Sequence, residues 1–242
     1  MRRGNTLTVD QAIRALCVQS ANDVAVMIAE RLGGTEGRFA ARMTARAREL
    51  GMTNTNFANA SGLPNPLQRS SARDMAVLSQ ALWRDFPEHY HYFQTPSFSW
   101  HNRYGRSHNR LIGQVDGVDG IKTGYTRASG FNLASSAERG GQRVIAVVMG
   151  GETAAARDAQ VAYLLEGAFE EYSRRRSLQP GAATYVGLPV NRVDVQLGGQ
   201  GTVTTVTQTF GPNGAPLRGA LSLDGTSSQG DNGEDVGETG AE

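Results

Sequence analysis

Two apolar runs, Phe131–Ser136 and Arg143–Met149, flank the dipeptide Gly140-Gly141. More than any other feature, this pattern limits what the chain can fold into. Paired glycines between strand-like runs accept the positive φ angles of a tight hairpin turn, so the segment predicts two antiparallel strands. Just beyond it, from Thr153 to Arg174, the apolar period becomes helical: Val161, Leu164, Leu165, Ala168, Phe169 and Tyr172 fall on one face. A hairpin and an amphipathic helix each carry an apolar face that needs cover. In sequence they predict a sheet with helices packed on it.

Upstream the patterns are mostly helical. Thr8 is placed to cap a helix through Asp10, Ile13 and Leu16. A second helix starts near Ser20, carries Val24, Met27 and Ile28 on one face, and stops at Gly33-Gly34. Thr35 caps a third, arginine-rich helix with Phe39, Met43 and Leu50, ended by Gly51; its Arg38, Arg42, Arg46 row reads as a solvated face. Residues 54–69 are rich in Asn, Ser, Gly and Pro and form a loop. Ser71 then opens a helix with Asp74 placed as in a capping box, and Pro87 ends it. Phe93–Trp100 and Val118–Tyr125 are expected as strands. Helices, then strands, then a long helix predict the α+β class (α/β in looser usage), an antiparallel sheet flanked by helices.

After Arg176 the texture changes. Thr184–Thr209 is rich in Val, Thr and Gly and suggests a small β element within 177–222. From Leu223 onward there is no lysine or arginine, and 223–242 is an acidic, Gly/Ser-rich tail expected to be disordered.

Composition excludes some functions. The net charge of +1 over 242 residues argues against a nucleic-acid binder. No apolar stretch is long enough to span a membrane, and Met1-Arg2-Arg3-Gly4 leads into an amphipathic pattern rather than a signal-peptide core. Cys17 is the one cysteine, so no intrachain disulfide forms, and it reads as a small buried hydrophobe. His89-Tyr90-His91 lacks a carboxylate or cysteine at metal-ligand spacing and is expected to be an aromatic packing segment; neither metal nor cofactor is expected.

One compositional fact is sharper. Of 24 Lys and Arg residues, Lys122 is the single lysine. Arginine is a permanent planar cation, whereas lysine is a compact charge with a tunable pKa. A chain that uses arginine nearly everywhere and lysine once marks Lys122 as a site candidate. Lys122-Thr123-Gly124 lies in an expected strand, and Ser20-Ala21-Asn22 lies at an expected helix start. Either triplet alone is weak, and Ser20 alone could be a helix cap. Together, in this order and setting, they match the later two of the three motifs S-x-x-K, S-D-N and K-T-G of penicillin-binding proteins and related enzymes.

The wider sequence sharpens the match. Val18–Asp23, Asn56–Pro64, Ser71–Ala76 and Val118–Thr126 resemble the D-Ala-D-Ala carboxypeptidase family, peptidase family S11, and the resemblance runs from about Thr8 to Arg174. It implies the penicillin-binding transpeptidase-like fold, with residues 1–176 as part of a catalytic domain. It implies a serine acyl-enzyme reaction on the D-Ala-D-Ala end of a peptidoglycan stem peptide, inhibited by β-lactams, in the periplasm or cell envelope. By the same resemblance Ser20 relays a proton, and Asn22 holds the substrate amide and orients the base. Lys122 and Thr123 meet the substrate carboxylate, and Gly124 lets the peptide approach the strand. Arg110, upstream of that strand, stands where family members often place a substrate-binding basic residue.

The first motif is missing. S-x-x-K cannot occur, because the only lysine is Lys122 and Asp119 stands three residues before it. In the family this motif lies some tens of residues before the middle one, and 19 residues precede Ser20. The expectation is that Met1 is not the natural start of the functional polypeptide and that the 242 residues alone are inactive. Two alternatives stay open. One is a relic or peptidoglycan-binding pseudoenzyme. The other is a β-lactamase, which needs a deacylating carboxylate; Glu88, in Phe86-Pro87-Glu88-His89, lies in no recognisable loop for that role.

Overall fold

The computed structural model describes residues 4–178 and the strand Val203–Thr209. The rest of 177–222 and all of the acidic tail 223–242 lie outside the described residues.

Helices α1 (Val9–Gln19), α2 (Asn22–Gly33) and α3 (Glu36–Glu49) come first, followed by a loop and α4 (Ala72–Asp85). The start signals act as expected. Thr8 and Gln11 close a capping box on α1, and Thr35 caps α3. At α4 the box is only half made. Ser71 accepts from the Asp74 amide, but the buried Asp74 carboxylate turns away to accept from Thr55 Oγ1 at 2.6 Å and the Asn54 amide at 2.8 Å. It thereby ties the 54–69 loop to the helix.

A 3-10 segment, Pro87–Gln94, precedes a small hairpin of β1 (Ser97–Trp100) and β2 (Arg103–Arg106). The expected strand over Phe93–Trp100 therefore begins only at Ser97. Pro87 fixes the first turn of the 3-10 segment. Tyr90 is buried there, edge-on to Phe93 with ring centroids 5.3 Å apart. Phe93 belongs to this three-residue turn, whereas the alternating Phe98 and Trp100 lie on β1.

The main sheet has the order β3-β4-β5-β6, with β3 (Val118–Thr126), β4 (Gly130–Arg139), β5 (Gln142–Gly151) and β6 (Val203–Thr209). Gly140 and Gly141 join β4 to β5 at φ 56° and 76°, the paired positive values a two-residue hairpin loop requires. The sheet is not wholly antiparallel, as the sequence suggested. β6 runs parallel to β5, and α5 (Ala154–Leu178) lies in the crossover between them.

β5 is buried on both faces. Val144, Ala146 and Val148 join Leu133, Val161, Leu164, Leu165 and Ala168 under α5. Ile145 and Val147 pack against Ala72 and Ala76 of α4 on the other side. The helical N-terminal part forms its own cluster, in which Ala12, Ala15, Val18 and Val24 pack on Phe98 of the small hairpin. No helix among the described residues is long and apolar enough to cross a membrane.

One charge sits inside this frame. Arg143, on β5, is 6% exposed and lies between the rings of Trp83 and Tyr90, 5.3 and 5.2 Å from their centroids. It pairs with Asp119 of β3 at 2.7 Å and Glu138 of β4 at 2.5 Å. Ser136 donates to Asp119 and shares a 2.7 Å hydrogen bond with the Tyr90 hydroxyl. Breaking a buried pair strands a charge, which costs about 3–5 kcal/mol, whereas an exposed pair contributes under about 1 kcal/mol. Arg143→Ala is therefore expected to lower the unfolding free energy in urea by about 3–5 kcal/mol. Arg46→Ala, which removes an exposed partner of Glu49, is expected to cost under about 1 kcal/mol. Equal losses for the two would contradict this reading.

Candidate active site

Ser20 is the residue where α1 stops. It has φ 53° and ψ 44°, the left-handed region, and the Ala21 amide reaches back to the Ala15 carbonyl at 3.3 Å. A side-chain-bearing residue here carries strain of about 1–3 kcal/mol and belongs to a small set of positions that often serve function. Ser20 is not the N-cap of the following helix. That position is Ala21, which makes no side-chain cap hydrogen bond, so the Ser20 hydroxyl is not spent on capping α2. Asn22 is the first residue of α2 and is exposed.

Lys122, Thr123 and Gly124 lie on β3, at one edge of the main sheet. Among the described strands β3 pairs only with β4, which leaves its outer row of backbone groups open to an added strand. Its start is fixed from below. The Gly120 carbonyl accepts from Asn109 Nδ2 at 2.8 Å and Ser135 Oγ at 2.7 Å, beside a register shift between Val118 and Gly120. The two glycines of the strand differ. A Cβ on Gly120 would sit 3.1 Å from Phe93 Cβ, a tight contact that Phe93 would have to yield to. A Cβ on Gly124 would meet nothing closer than Asn132 at 3.9 Å. The protein's own packing does not require Gly124 to lack a side chain.

Lys122 is half-buried, and its ammonium donates to the Thr123 carbonyl at 2.9 Å. Burial pushes its pKa below lysine's ordinary value; the Cys17 thiol opposes the shift and the Arg157 guanidinium adds to it. Ser20, Asn22 and Lys122 come together on one cavity of about 410 Å³, with Cys17 and Ser61 also on its wall. Much of the remaining lining is apolar, including Leu16, Ile28, Phe39 and Met43. Burial raises the Cys17 thiol to about 11, so at neutral pH it is protonated and a poor nucleophile. Glu88 is exposed on the 3-10 segment and does not line this cavity.

Arg110 does not join the group. It is exposed and makes no hydrogen bond or ion pair among the described residues. Asn109 is buried, and the two bonds of its side chain, to the Gly120 carbonyl and from the Leu111 amide, fix the turn so that His108 comes within electrostatic reach of Lys122. The His108 pKa falls below histidine's ordinary value through burial, then through the Lys122 and Arg157 charges. Arg157, at the start of α5, is buried and held by Asp158 and the Asn132 carbonyl, each at 2.8 Å. Sequence reasoning singled out the segment 108–110 but chose Arg110 over His108, and it missed Arg157. The arrangement combines a strained serine, an open strand edge and three nitrogen cations or bases, and it can receive an extended peptide that ends in a carboxylate. Among the described residues no group of three or more His, Cys, Asp or Glu could hold a metal.

Comparison with known proteins gives a consistent answer. The sequence profile of the D-alanyl-D-alanine carboxypeptidases of peptidase family S11 matches residues 1–153. The chain is similar to D-alanyl-D-alanine carboxypeptidase DacA of Escherichia coli strain K12, 37% identical over 182 residues, covering 75% of this chain and 45% of that protein. Among solved structures it is similar to penicillin-binding protein 5 from Haemophilus influenzae, with TM-score 0.64, 34% identity, and 69% and 49% of the two chains covered. It is also similar to penicillin-binding protein D2 from Listeria monocytogenes in the ampicillin-bound form, with TM-score 0.59, 32% identity, and 67% and 68% covered. The chain spans about half the length of the curated relatives it matches.

The contrast between the two glycines is testable without knowing the substrate. Gly120→Ala is expected to lower stability by about 1–3 kcal/mol through overpacking. Gly124→Ala should leave the thermal midpoint within a degree or two of wild type, about 0.5 kcal/mol or less. A large loss for Gly124→Ala would show that packing, and not access to the strand, holds that glycine.

Proposed function

The chain belongs to the D-alanyl-D-alanine carboxypeptidase family, and on that premise we propose that it forms the substrate-holding side of a serine-type D-Ala-D-Ala carboxypeptidase site. The observation that carries the reading is the meeting of Ser20, Asn22 and Lys122 on one cavity beside the open edge of β3. In this proposal a peptidoglycan stem peptide adds to β3 as an extra strand, with Gly124 leaving room for it. Thr123 and Lys122 receive the terminal carboxylate. His108, rather than Arg110, joins them, with Arg157 adding positive potential from behind.

The reaction proposed for the family site is acyl transfer. A serine oxygen attacks the carbonyl between the two D-alanines, the terminal D-alanine leaves as an amine, and water later releases the shortened peptide. A leaving amine needs a proton, and the Ser20 hydroxyl is placed to relay one. Asn22 holds the substrate amide and orients the base. The positive potential of Lys122 favours the carboxylate and the developing negative charge.

The attacking serine and its base are the finer part of the proposal. No S-x-x-K occurs in the sequence, and a serine hydroxyl without an adjacent base is a weak nucleophile. The apolar lining beside Ser20 and Lys122 suits an apolar helix that would carry such a motif. The 242 residues are thus proposed to bind peptide and β-lactam weakly and to turn over neither. The missing motif also favours a second reading, a peptidoglycan-binding pseudoenzyme. Placement in the cell envelope belongs to the proposal, as does the stem peptide as partner.

A fluorescent penicillin tests this on the 242-residue chain and on a version extended upstream through the next open frame. Only the extended protein is expected to label covalently, and Lys122→Gln in it is expected to slow labelling by roughly 100-fold. Labelling of the short chain, or release of D-alanine by it, contradicts the proposal; labelling of neither leaves the pseudoenzyme. Binding of a carboxylate-ended peptide should also depend on pH. His108 is neutral above its depressed pKa and cationic below it, so binding should strengthen as pH falls below histidine's ordinary range. His108→Ala should remove that rise and leave binding at pH about 8 unchanged. A pH profile that His108→Ala does not alter would exclude His108 from the carboxylate site.

A further inference from the structure

β3 is open at its outer edge for only part of its length. Towards its start the edge is covered: Gly120 and Ile121 are buried, and Asn109 Nδ2 donates to the Gly120 carbonyl at 2.8 Å. Phe93 also lies against Gly120. Past Lys122 the cover ends, and Gly124 and Tyr125 are exposed. A peptide whose terminal carboxylate rests at Lys122 and Thr123 can therefore extend only towards Thr126. Its chain then runs opposite in direction to β3, so it adds as an antiparallel strand.

The strand direction assigns the peptide's residues. With the C-terminal residue opposite Thr123, the penultimate one lies opposite Gly124 and the one before it opposite Tyr125. Directly opposed residues of an antiparallel pair put their side chains on the same face, with Cβ atoms about 4.5–5.5 Å apart. Tyr125 is 60% exposed. Its ring is held by Phe131, its Cα partner on β4, with ring centroids 4.4 Å apart and planes at 34°. A single exposed tyrosine needs no functional account, and a cross-strand ring pair stabilises a sheet by itself. This pair, however, stands on the stretch of β3 that is both exposed and, among the described strands, unpaired on its outer side. Two rings fixed against each other offer a broad apolar surface that loses little conformational freedom when covered.

We infer that the Tyr125–Phe131 pair is the specificity-determining surface for the residue two positions before the peptide's C-terminus, taking an unbranched aliphatic side chain of L configuration. The side chain lies across the Tyr125 ring, and any polar end reaches past it to water. A D residue at the same place sends its side chain to the other face of the strand, away from the rings. This assignment rests on the peptide site proposed above and adds to it the residue selected and its hand.

Three tripeptides test this on the 242-residue chain: acetyl-L-norleucyl-D-Ala-D-Ala, its L-alanyl analogue and its D-norleucyl analogue. Each is titrated while the Gly124 amide is followed in a ¹H–¹⁵N spectrum. The L-norleucyl peptide is expected to bind roughly fivefold or more tightly than either of the others. The ratio between peptides, and not the affinity for any one, is the readout. Tyr125→Ala is expected to bring the L-norleucyl and L-alanyl peptides within about twofold of each other. Tyr125→Phe, which keeps the ring, is expected to preserve the preference. Equal binding of the L-norleucyl peptide and either analogue by the unaltered protein, or a preference that survives Tyr125→Ala, overturns the inference and leaves the peptide site standing. Loss of every peptide in Tyr125→Ala also overturns it, because the ring would then hold the strand rather than select a side chain. If none of the three moves β3 in the unaltered protein, the peptide site itself falls, and the ring surface with it.

Discussion

The neutralisation of one buried cation underlies the geometry of the site. Arg143 lies in the core of the sheet and meets Asp119 of β3, Glu138 of β4 and two aromatic faces. Asp119 stands three residues before Lys122, at the register shift where β3 begins. The ion pair thus fixes the strand from one side, while Asn109 and Ser135 hold the Gly120 carbonyl from another. Buried charge of this kind contributes little net stability, but it makes other arrangements of the strand expensive. The benefit falls on Lys122 and Thr123, which are held at a sheet edge without being packed into it.

The site is polarised in a way that suits peptide recognition more than covalent chemistry. Positive potential gathers at Lys122 and Arg157, with His108 joining them only at low pH, and burial keeps Lys122 and His108 easier to deprotonate than their free counterparts. Across the cavity Ser20 is strained and not used as a cap. Between them lies an apolar wall with the protonated Cys17. These residues are proposed to orient a peptide and manage a leaving group. No S-x-x-K occurs in the 242 residues, so the attacking group stays part of the proposal.

Much of this was legible from the residues, and the exceptions have physical causes. Gly140-Gly141 specified the β4–β5 turn because positive φ at both positions has few other users. The Val161–Tyr172 stripe specified α5 because a 3.6-residue period has one structural meaning. The strand was started too early at Phe93 because the true alternation of Phe98 and Trp100 on β1 was run back into the last turn of the 3-10 segment. Asp74 looked like a capping partner, but a capping carboxylate and a loop-tying carboxylate look alike until the 54–69 loop is placed. The parallel pairing of β6 was hidden because pairing direction is set by the α5 crossover and not by strand composition. At the site, motif order pointed to Ser20, Asn22 and Lys122, and the fold brings the three onto one cavity. In the segment 108–110 the sequence reading chose Arg110; the nearness of His108 and Arg157 to Lys122 arises from Asn109 folding back on Gly120 and from α5 docking across β4.

The central claim is that the open edge of β3, with Lys122 and Thr123, receives a peptide that ends in a carboxylate. The most direct measurement is an amide ¹H–¹⁵N titration of this chain with a pentapeptide ending in D-Ala-D-Ala, beside the same peptide amidated at its C-terminus. The account predicts shifts at Thr123, Gly124 and Tyr125 with the free-acid peptide, and shifts weakened at least tenfold with the amidated one. Equal response to both peptides, or shifts that leave β3 untouched, would contradict it.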